Sequence, residues 1–357
     1  MKTTHEILIT LLRSAILRRD LPEDFSLELT AEQWHELFKL SAKQGVLAIV
    51  YDVISQLPST SQPPRELNLR WAISVDAIEQ RYYKQLDNAK ELSRIWHNEG
   101  IRTLILKGFS LSRYYPTPHH RECGDFDCYL FDKYEEGNLV AEREGAKVNR
   151  EWYKHSQISF RKTMTENHQY LVTTRKGNDA KSLNDTLIGL IGENLATIDD
   201  SCILIPSCEF IALFITYHSF SHFVSEGINL RHICDWIGFM NAEQENFDWS
   251  KFYALCRKYK FDRFVDAFNA IAAEHFHFEF HNPDIVTSSP YAERMLQDMI
   301  FEDAKIYNSR KGKWHKRLKL ITNIYAYAWK HRDIAQSSNL RYLWDLVYGF
   351  ITKRDKH

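Results

Sequence analysis

Apolar positions recur at helical spacing from the start of the chain. Leu8, Leu11, Leu12, Ala15 and Ile16 fall on one face of a 3.6-residue repeat. Thr30 followed by Gln33 has the form of a reciprocal cap, opening a second helix that runs to Gln44, where Gly45 stops it. A third helix is expected over 46–57, and Ser59 to Pro64 reads as a loop. Trp71, Val75, Ile78, Tyr82, Leu86, Ala89, Leu92 and Trp96 then make one stripe along a long helix that closes at Gly100. The first hundred residues read as all-helical.

The period changes after that. Residues 102–106 are a short apolar run of strand character, and Gly108 leads into a short helix ending near Tyr115. Pro116 and Pro118 force a turn. Residues 125–131 alternate polar and apolar, the pattern of a half-buried strand. A helix is expected from Lys133 to Gly145, and 147–152 and 157–174 supply two or three more strands. From Asn184 on helices return. One opens at Pro206 and carries His218 and His222; others cover 230–240, 249–259 and 261–276, and three more end the chain. The expected class is α+β: a small mixed core at 101–176 between a helical region at 1–100 and a helical domain at 177–357.

Composition narrows the function. At 357 residues the chain is long enough for about two domains and a sizeable core. Only 13 Gly and 9 Pro exclude collagenous and low-complexity readings. Lys and Arg number 46 against 47 Asp and Glu, so the chain lacks the positive excess of a dedicated nucleic-acid binder. Six scattered cysteines without a CxxC pair point to a reduced, cytoplasmic setting. The opening segment reads as an amphipathic helix and not as a signal peptide. Phe210 to Tyr217, the most apolar later stretch, is too short to span a bilayer.

The chemistry concentrates in two short segments. Asp125 and Asp127 lie two apart on an expected strand, so both carboxylates share a face. Two such charges about 4 Å apart repel by about 1 kcal/mol in water and about 4 kcal/mol at an effective dielectric of 20. A hard divalent cation relieves that repulsion, and Mg²⁺ is typically held by one or two carboxylates plus substrate phosphates. Gly108, between strand and short helix, lets backbone approach a phosphate, and Lys107 and Ser110 add a charge and a hydroxyl. Each segment alone has an ordinary reading, as a solvated acidic strand end and as a plain strand-to-helix turn.

Together the segments resemble the nucleotidyltransferase superfamily that includes DNA polymerase beta. More closely, the chain resembles a bacterial family of uncharacterised nucleotidyltransferases. The resemblance is carried by Leu106, Lys107, Gly108, Leu111, Tyr114, Tyr115, Pro116, Arg121, Gly124, Asp125 and Asp127. Looser matches extend over most of the chain, at Leu11 to Ala15, Ala42 to Val46, His155, His218, His222, Asp235, Asp248 and Trp249. The resemblance implies a polymerase-beta-like core, divalent metal (Mg²⁺ or Mn²⁺), an NTP substrate, and a phosphate cradle including Lys107, Gly108, Ser110, Arg121 and Gly124. It also implies a third carboxylate on a later strand. Glu166 takes that place, because Ile158, Phe160, Lys162, Met164, Glu166 and His168 fall on one face of a period-two pattern. Asn167, where the family more often has an apolar residue, is the departure. His155, His168, His218, His222 and Asp235 are expected to line the pocket, with Arg231 and Asp235 spaced to pair on one helix.

The expected function is metal-dependent transfer of a nucleotide from an NTP to an acceptor hydroxyl. Glu166 would serve as metal ligand or as base. Two alternatives stay open: a catalytically silent nucleotide sensor on the same fold, and an RNA-end nucleotidyltransferase using the basic run Arg310 to Lys319. The acceptor and the oligomeric state are not legible.

Overall fold

Helix caps set the first elements. In the computed structural model, which describes residues 3–23, 25, 27–174, 178–246, 248–301 and 328–337, α1 spans Thr4–Leu17 and opens on a Thr3/Glu6 capping box. The expected Thr30/Gln33 box opens α2, Ala31–Lys43: the Gln33 amide N–H donates to Thr30 Oγ1 at 3.3 Å, and the Thr30 N–H donates to Gln33 Oε1 at 2.9 Å. Next comes α3, Leu47–Ile54. The aromatic stripe builds α4, Arg65–Asn98. Its two ends are pinned by tryptophans: Trp71 Nε1 donates to the Leu47 carbonyl at 3.0 Å and Trp96 Nε1 to the Gly137 carbonyl at 2.9 Å.

The sheet has six strands in the order β3-β4-β5-β2-β1-β6. They are β1 Thr103–Ile105, β2 Phe126–Tyr129, β3 Lys147–Asn149, β4 His155–Phe160, β5 Thr163–His168 and β6 Ile203–Leu204. Strand β2 runs antiparallel to β1 and parallel to β5; β4 runs antiparallel to β3 and β5; β6 runs parallel to β1. The short helix α5, Phe109–Ser112, follows Gly108, and α6, Tyr134–Arg143, packs on β3, β4 and β5.

Three differences from the sequence reading have physical causes. β2 is buried along its whole length and not half-buried: Phe126 and Cys128 face the core, while Lys107 and His168 cover Asp127 on the other side. Residues 157–168 are not one continuous face. The chain reverses at Arg161 and Lys162, so Ile158, opposite Thr165, lies on the sheet face away from Glu166. And β6, only two residues long and so without a visible period, joins the sheet from beyond residue 176.

Helices α7, Asn178–Gly189, and α8, Cys208–Ser225, follow, with the Ser207 hydroxyl accepting the Phe210 N–H at 3.1 Å to cap α8. Then come α9, Leu230–Glu243; α10, Trp249–Lys258; α11, Asp262–Phe276; and α12, Ala292–Phe301. Helix α1 packs against α9 and α11 as well as α3, so N- and C-terminal helices share one apolar core with the sheet. All six cysteines are free. Among the described residues no helix is long and apolar enough to cross a membrane. The basic run at 310–319 lies outside the described residues, and of the helices expected to end the chain α12 and a short π-helical turn, Lys330–Ile334, are described.

The β4–β5 hairpin turns on Arg161 and Lys162 at φ 47° and 66°, a left-handed pair that favours Asn-Gly. Replacing Arg161 by Asn and Lys162 by Gly should therefore stabilise the protein by about 1 kcal/mol. Thermal melting of the double variant checks this; an unchanged or lower midpoint would show the turn carries no strain.

Candidate active site

The register of two interior strands assembles the site. β5 lies between β4 and β2, and residues opposite one another point to the same face. Asp127 is opposite Glu166, Tyr129 opposite His168, and His155 opposite His168. Asp125, Asp127 and Glu166 each bring a carboxylate oxygen to within 4.8 Å of the others; His155, Glu166 and His168 form a second, overlapping group on the same criterion. Glu166 thus sits inside the sheet, and the hairpin tip belongs to Arg161 and Lys162.

Asn167 has a place on the opposite face. It is buried, and its Nδ2 donates to the Tyr134 carbonyl at 3.0 Å and to Asn138 Oδ1 at 2.9 Å. Ser156 Oγ donates to the same Asn138 oxygen at 2.6 Å. This polar group ties β4 and β5 to α6 behind the carboxylates through Asn167 Nδ2, while its Oδ1 has no hydrogen-bond partner among the described residues.

The charges on the front face are unequal. Asp127 is 1% exposed, with Lys107 Nζ 3.1 Å from one oxygen and His168 Nε2 3.0 Å from the other. A carboxylate only accepts, so His168 Nε2 carries the proton. Burial works against the Asp127 charge, but Lys107 and His168 outweigh it and hold the carboxyl well below its usual range. Asp125 goes the other way: burial first, then the Asp127 charge, push it up to about 6. Burial also opposes the charge on Glu166, yet the His168 ring, 3.6 Å from one oxygen, brings its pKa down; His155 Nε2 lies 3.4 Å from the other oxygen. His155 itself is lowered to about 4 by burial, so its ring is neutral at physiological pH. Among the described residues only one ammonium, that of Lys107, is in contact with these three carboxylates, and that of Lys154 acts from farther off. Asp125 is left to bear the surplus.

The residues expected from the sequence to cradle a phosphate follow β1. Gly108 stands at φ 72°, ψ −108°, a conformation open to glycine, and precedes α5. Ser110 is fully buried and its hydroxyl has no hydrogen-bond partner among the described residues. Gly124 is exposed, and its carbonyl accepts from Gln85 Nε2 at 3.0 Å.

Arg121 is buried, and its guanidinium is engaged by Asp235 at 2.7 Å through both Nε and Nη2. The Tyr115 hydroxyl donates to the same aspartate at 2.7 Å. The helical spacing of Arg231 and Asp235 had suggested that those two pair. Instead the bidentate fork of Arg121 takes the buried carboxylate, and Arg231 Nη1 donates to the Glu122 carbonyl at 2.9 Å.

His218 and His222 lie on α8 with ring centroids 4.4 Å apart, and His218 stacks on Phe214 at 5.9 Å. Two small cavities meet at His218 and Phe214. One, of about 60 Å³, also touches Lys107, Arg121 and Asp235; the other, of about 50 Å³, touches Lys154, Ser221 and His222. Burial drives His218 and His222 below the usual histidine range. Lys154 was not singled out from the sequence. Burial and then the Lys107 charge lower its pKa, against the pull of Asp127 and Glu166. A lysine flanking a strand reads as solvated, and its place beside His155 was the one signal available.

Comparison with known proteins gives one match. No curated protein and no solved structure matches the chain. The model of a family described as uncharacterised nucleotidyltransferase matches residues 30–277, well over half the chain and including every carboxylate, histidine and lysine placed above. With the mixed sheet and the carboxylate face in view, the chain belongs to that uncharacterised nucleotidyltransferase family.

Proposed function

We propose that the protein transfers a nucleotidyl group from an NTP to an acceptor hydroxyl with the help of Mg²⁺ or Mn²⁺. The observation that carries this reading is the convergence of Asp125, Asp127 and Glu166 within 4.8 Å, beside Lys107 and the Gly108 turn. In the reaction the acceptor oxygen bonds to the α-phosphorus. The bond from that phosphorus to the β-phosphate bridge breaks, pyrophosphate leaves with the electron pair, and the acceptor proton is lost to a base.

Three carboxylate oxygens form a hard donor set, and their excess charge, seen in Asp125, fits a divalent cation. Asp125, Asp127 and Glu166 would hold it. When bound, the cation supplies positive charge at the reacting phosphate and the leaving group. Lys107 sits where it can share that charge with the triphosphate. The lowered pKa of Glu166 suits it to holding charge and makes it a weak proton acceptor. Gly108 leaves backbone free to approach a phosphate, with Ser110, two residues on, carrying a hydroxyl that has no hydrogen-bond partner among the described residues.

Activity is tested with α-labelled NTPs, Mg²⁺ or Mn²⁺ and cell extract, following label onto any acceptor. Glu166→Gln should retain Mg²⁺-NTP binding while transfer falls by a factor of 100 or more, about 3 kcal/mol. Asp127→Asn should lose metal-dependent binding altogether. Calorimetry that finds equal Mg²⁺-NTP affinity in wild type and Asp127→Asn removes the aspartates from the site, and no label transfer by wild type favours the sensor reading.

The raised pKa of Asp125 has its own signature. In metal-free protein the folded state holds that proton more tightly than the unfolded chain, so the group favours folding at low pH and costs stability as pH rises through about 6. Metal-free Asp125→Asn should therefore melt higher than wild type at pH 8, by about 2 kcal/mol after allowance for partial exposure. The gap should close as pH falls from 6 to 4. A variant that melts lower than wild type at pH 8 would show that the carboxylate is not under repulsion.

Gly108→Ala isolates the turn. A Cβ there would meet only the Asp125 carbonyl at 3.6 Å and Cys123 Sγ at 3.8 Å, ordinary contacts, so the cost comes from the backbone angle. Relaxing it moves the amides that face the triphosphate, and NTP affinity should fall at least tenfold. Unchanged affinity would take the turn out of the cradle.

A further inference from the structure

On the side of α4, a second group of side chains converges in the form of a metal site. His119 and His120 lie on the turn Pro118–His120, and Glu79 lies on α4. Their Nε2 atoms both aim at one oxygen: His120 Nε2 is 2.7 Å and His119 Nε2 3.9 Å from Glu79 Oε1. The two Nδ1 atoms are turned the other way and each has its own partner. Asp52 Oδ1, on α3, lies 2.7 Å from His120 Nδ1, and the Tyr83 hydroxyl lies 3.1 Å from His119 Nδ1.

That division is what a metal site requires. A ligating histidine presents one nitrogen to the metal, and the other is oriented by a carboxylate or another polar group, which fixes tautomer and ring. Here both rings are so oriented, and their Nε2 atoms converge on one carboxylate oxygen, Glu79 Oε1. Two imidazoles and one carboxylate are the donor set of Zn²⁺ and its transition-metal neighbours, whereas Mg²⁺ and Ca²⁺ take oxygen.

We propose that Glu79, His119 and His120 bind a divalent transition metal, Zn²⁺ fitting best, with Asp52 and Tyr83 orienting the two rings. The site braces the turn that leads into Arg121, Gly124 and Asp125 against α3 and α4. It shares no ligand with the carboxylate face, and it stands independently of the nucleotidyl-transfer reading.

The test uses full-length protein stripped with a chelator, Co²⁺ as a visible-absorbing probe, and Zn²⁺ to displace it. Glu79 and His119 have side chains 34% and 29% exposed, so Glu79→Gln and His119→Ala should fold. Each should bind one Co²⁺ equivalent fewer than wild type and lose the rise in melting temperature that Zn²⁺ gives wild type. Glu166→Gln, which weakens both ligand groups on the sheet face, should keep that equivalent. Equal Co²⁺ stoichiometry in wild type, Glu79→Gln and His119→Ala overturns the proposal, and so does loss of the tight equivalent in Glu166→Gln alone.

Discussion

The parallel register of β2 on β5 is the constraint from which the site follows. It sets Asp127 beside Glu166 in the sheet interior, where solvent cannot dissipate their repulsion. Every neighbour then answers to that charge. Lys107, the second residue past β1, reaches Asp127, and His168 donates to the other oxygen of the same carboxylate. Behind the sheet, Asn138, Asn167 and Ser156 lock β4 and β5 onto α6, so the strands cannot slide apart to relieve the strain. Asp125, at the start of β2 and without a cation of its own, keeps the unrelieved part.

Much of this was legible in the chain, for reasons that differ by element. The helices of the first hundred residues carried long apolar stripes and explicit caps at Thr30 and Gly45, signals that are local and repeated. The Asp125/Asp127 pair was readable because strand period alone puts i and i+2 on one face. Glu166 was reached through its family resemblance and parity, although the period was carried too far back: Ile158 and Phe160 belong to the other arm of a hairpin whose turn has neither Gly nor Asn. β6 was invisible because two residues have no period. The partner of Asp235 was missed because helical spacing offered Arg231 nearby, while the actual partner, Arg121, lies 114 positions away.

That same ion pair explains why the sheet and the later helices form one structure. A guanidinium and a carboxylate buried together need each other; breaking such a pair by removing one member typically costs about 3–5 kcal/mol. Arg121 belongs to the loop entering β2, and Asp235 to α9, so the pair fixes α9 against the loop that delivers Asp125 and Asp127. Tyr115 adds a third attachment to the same aspartate. In this arrangement the Arg121 guanidinium serves architecture, and Lys107 and Lys154 are the lysines whose charges act on the carboxylates.

The size of the cavities then limits where a substrate can lie. The two spaces that meet at His218 and Phe214, about 60 and 50 Å³, are far smaller than the roughly 300–1,000 Å³ that encloses a small-molecule ligand. Neither holds a nucleoside in this arrangement. Both are walled by α8, whose His218 and His222 are driven toward the neutral form by burial. Neutral rings leave the positive charge near the carboxylates concentrated on Lys107 and Lys154, one lining each space. The carboxylate face itself reaches solvent at Gly124, Asp125, His155 and Glu166. A nucleotide that presents its phosphates to Lys107 must therefore leave its base and ribose outside these two spaces, unless α8 moves.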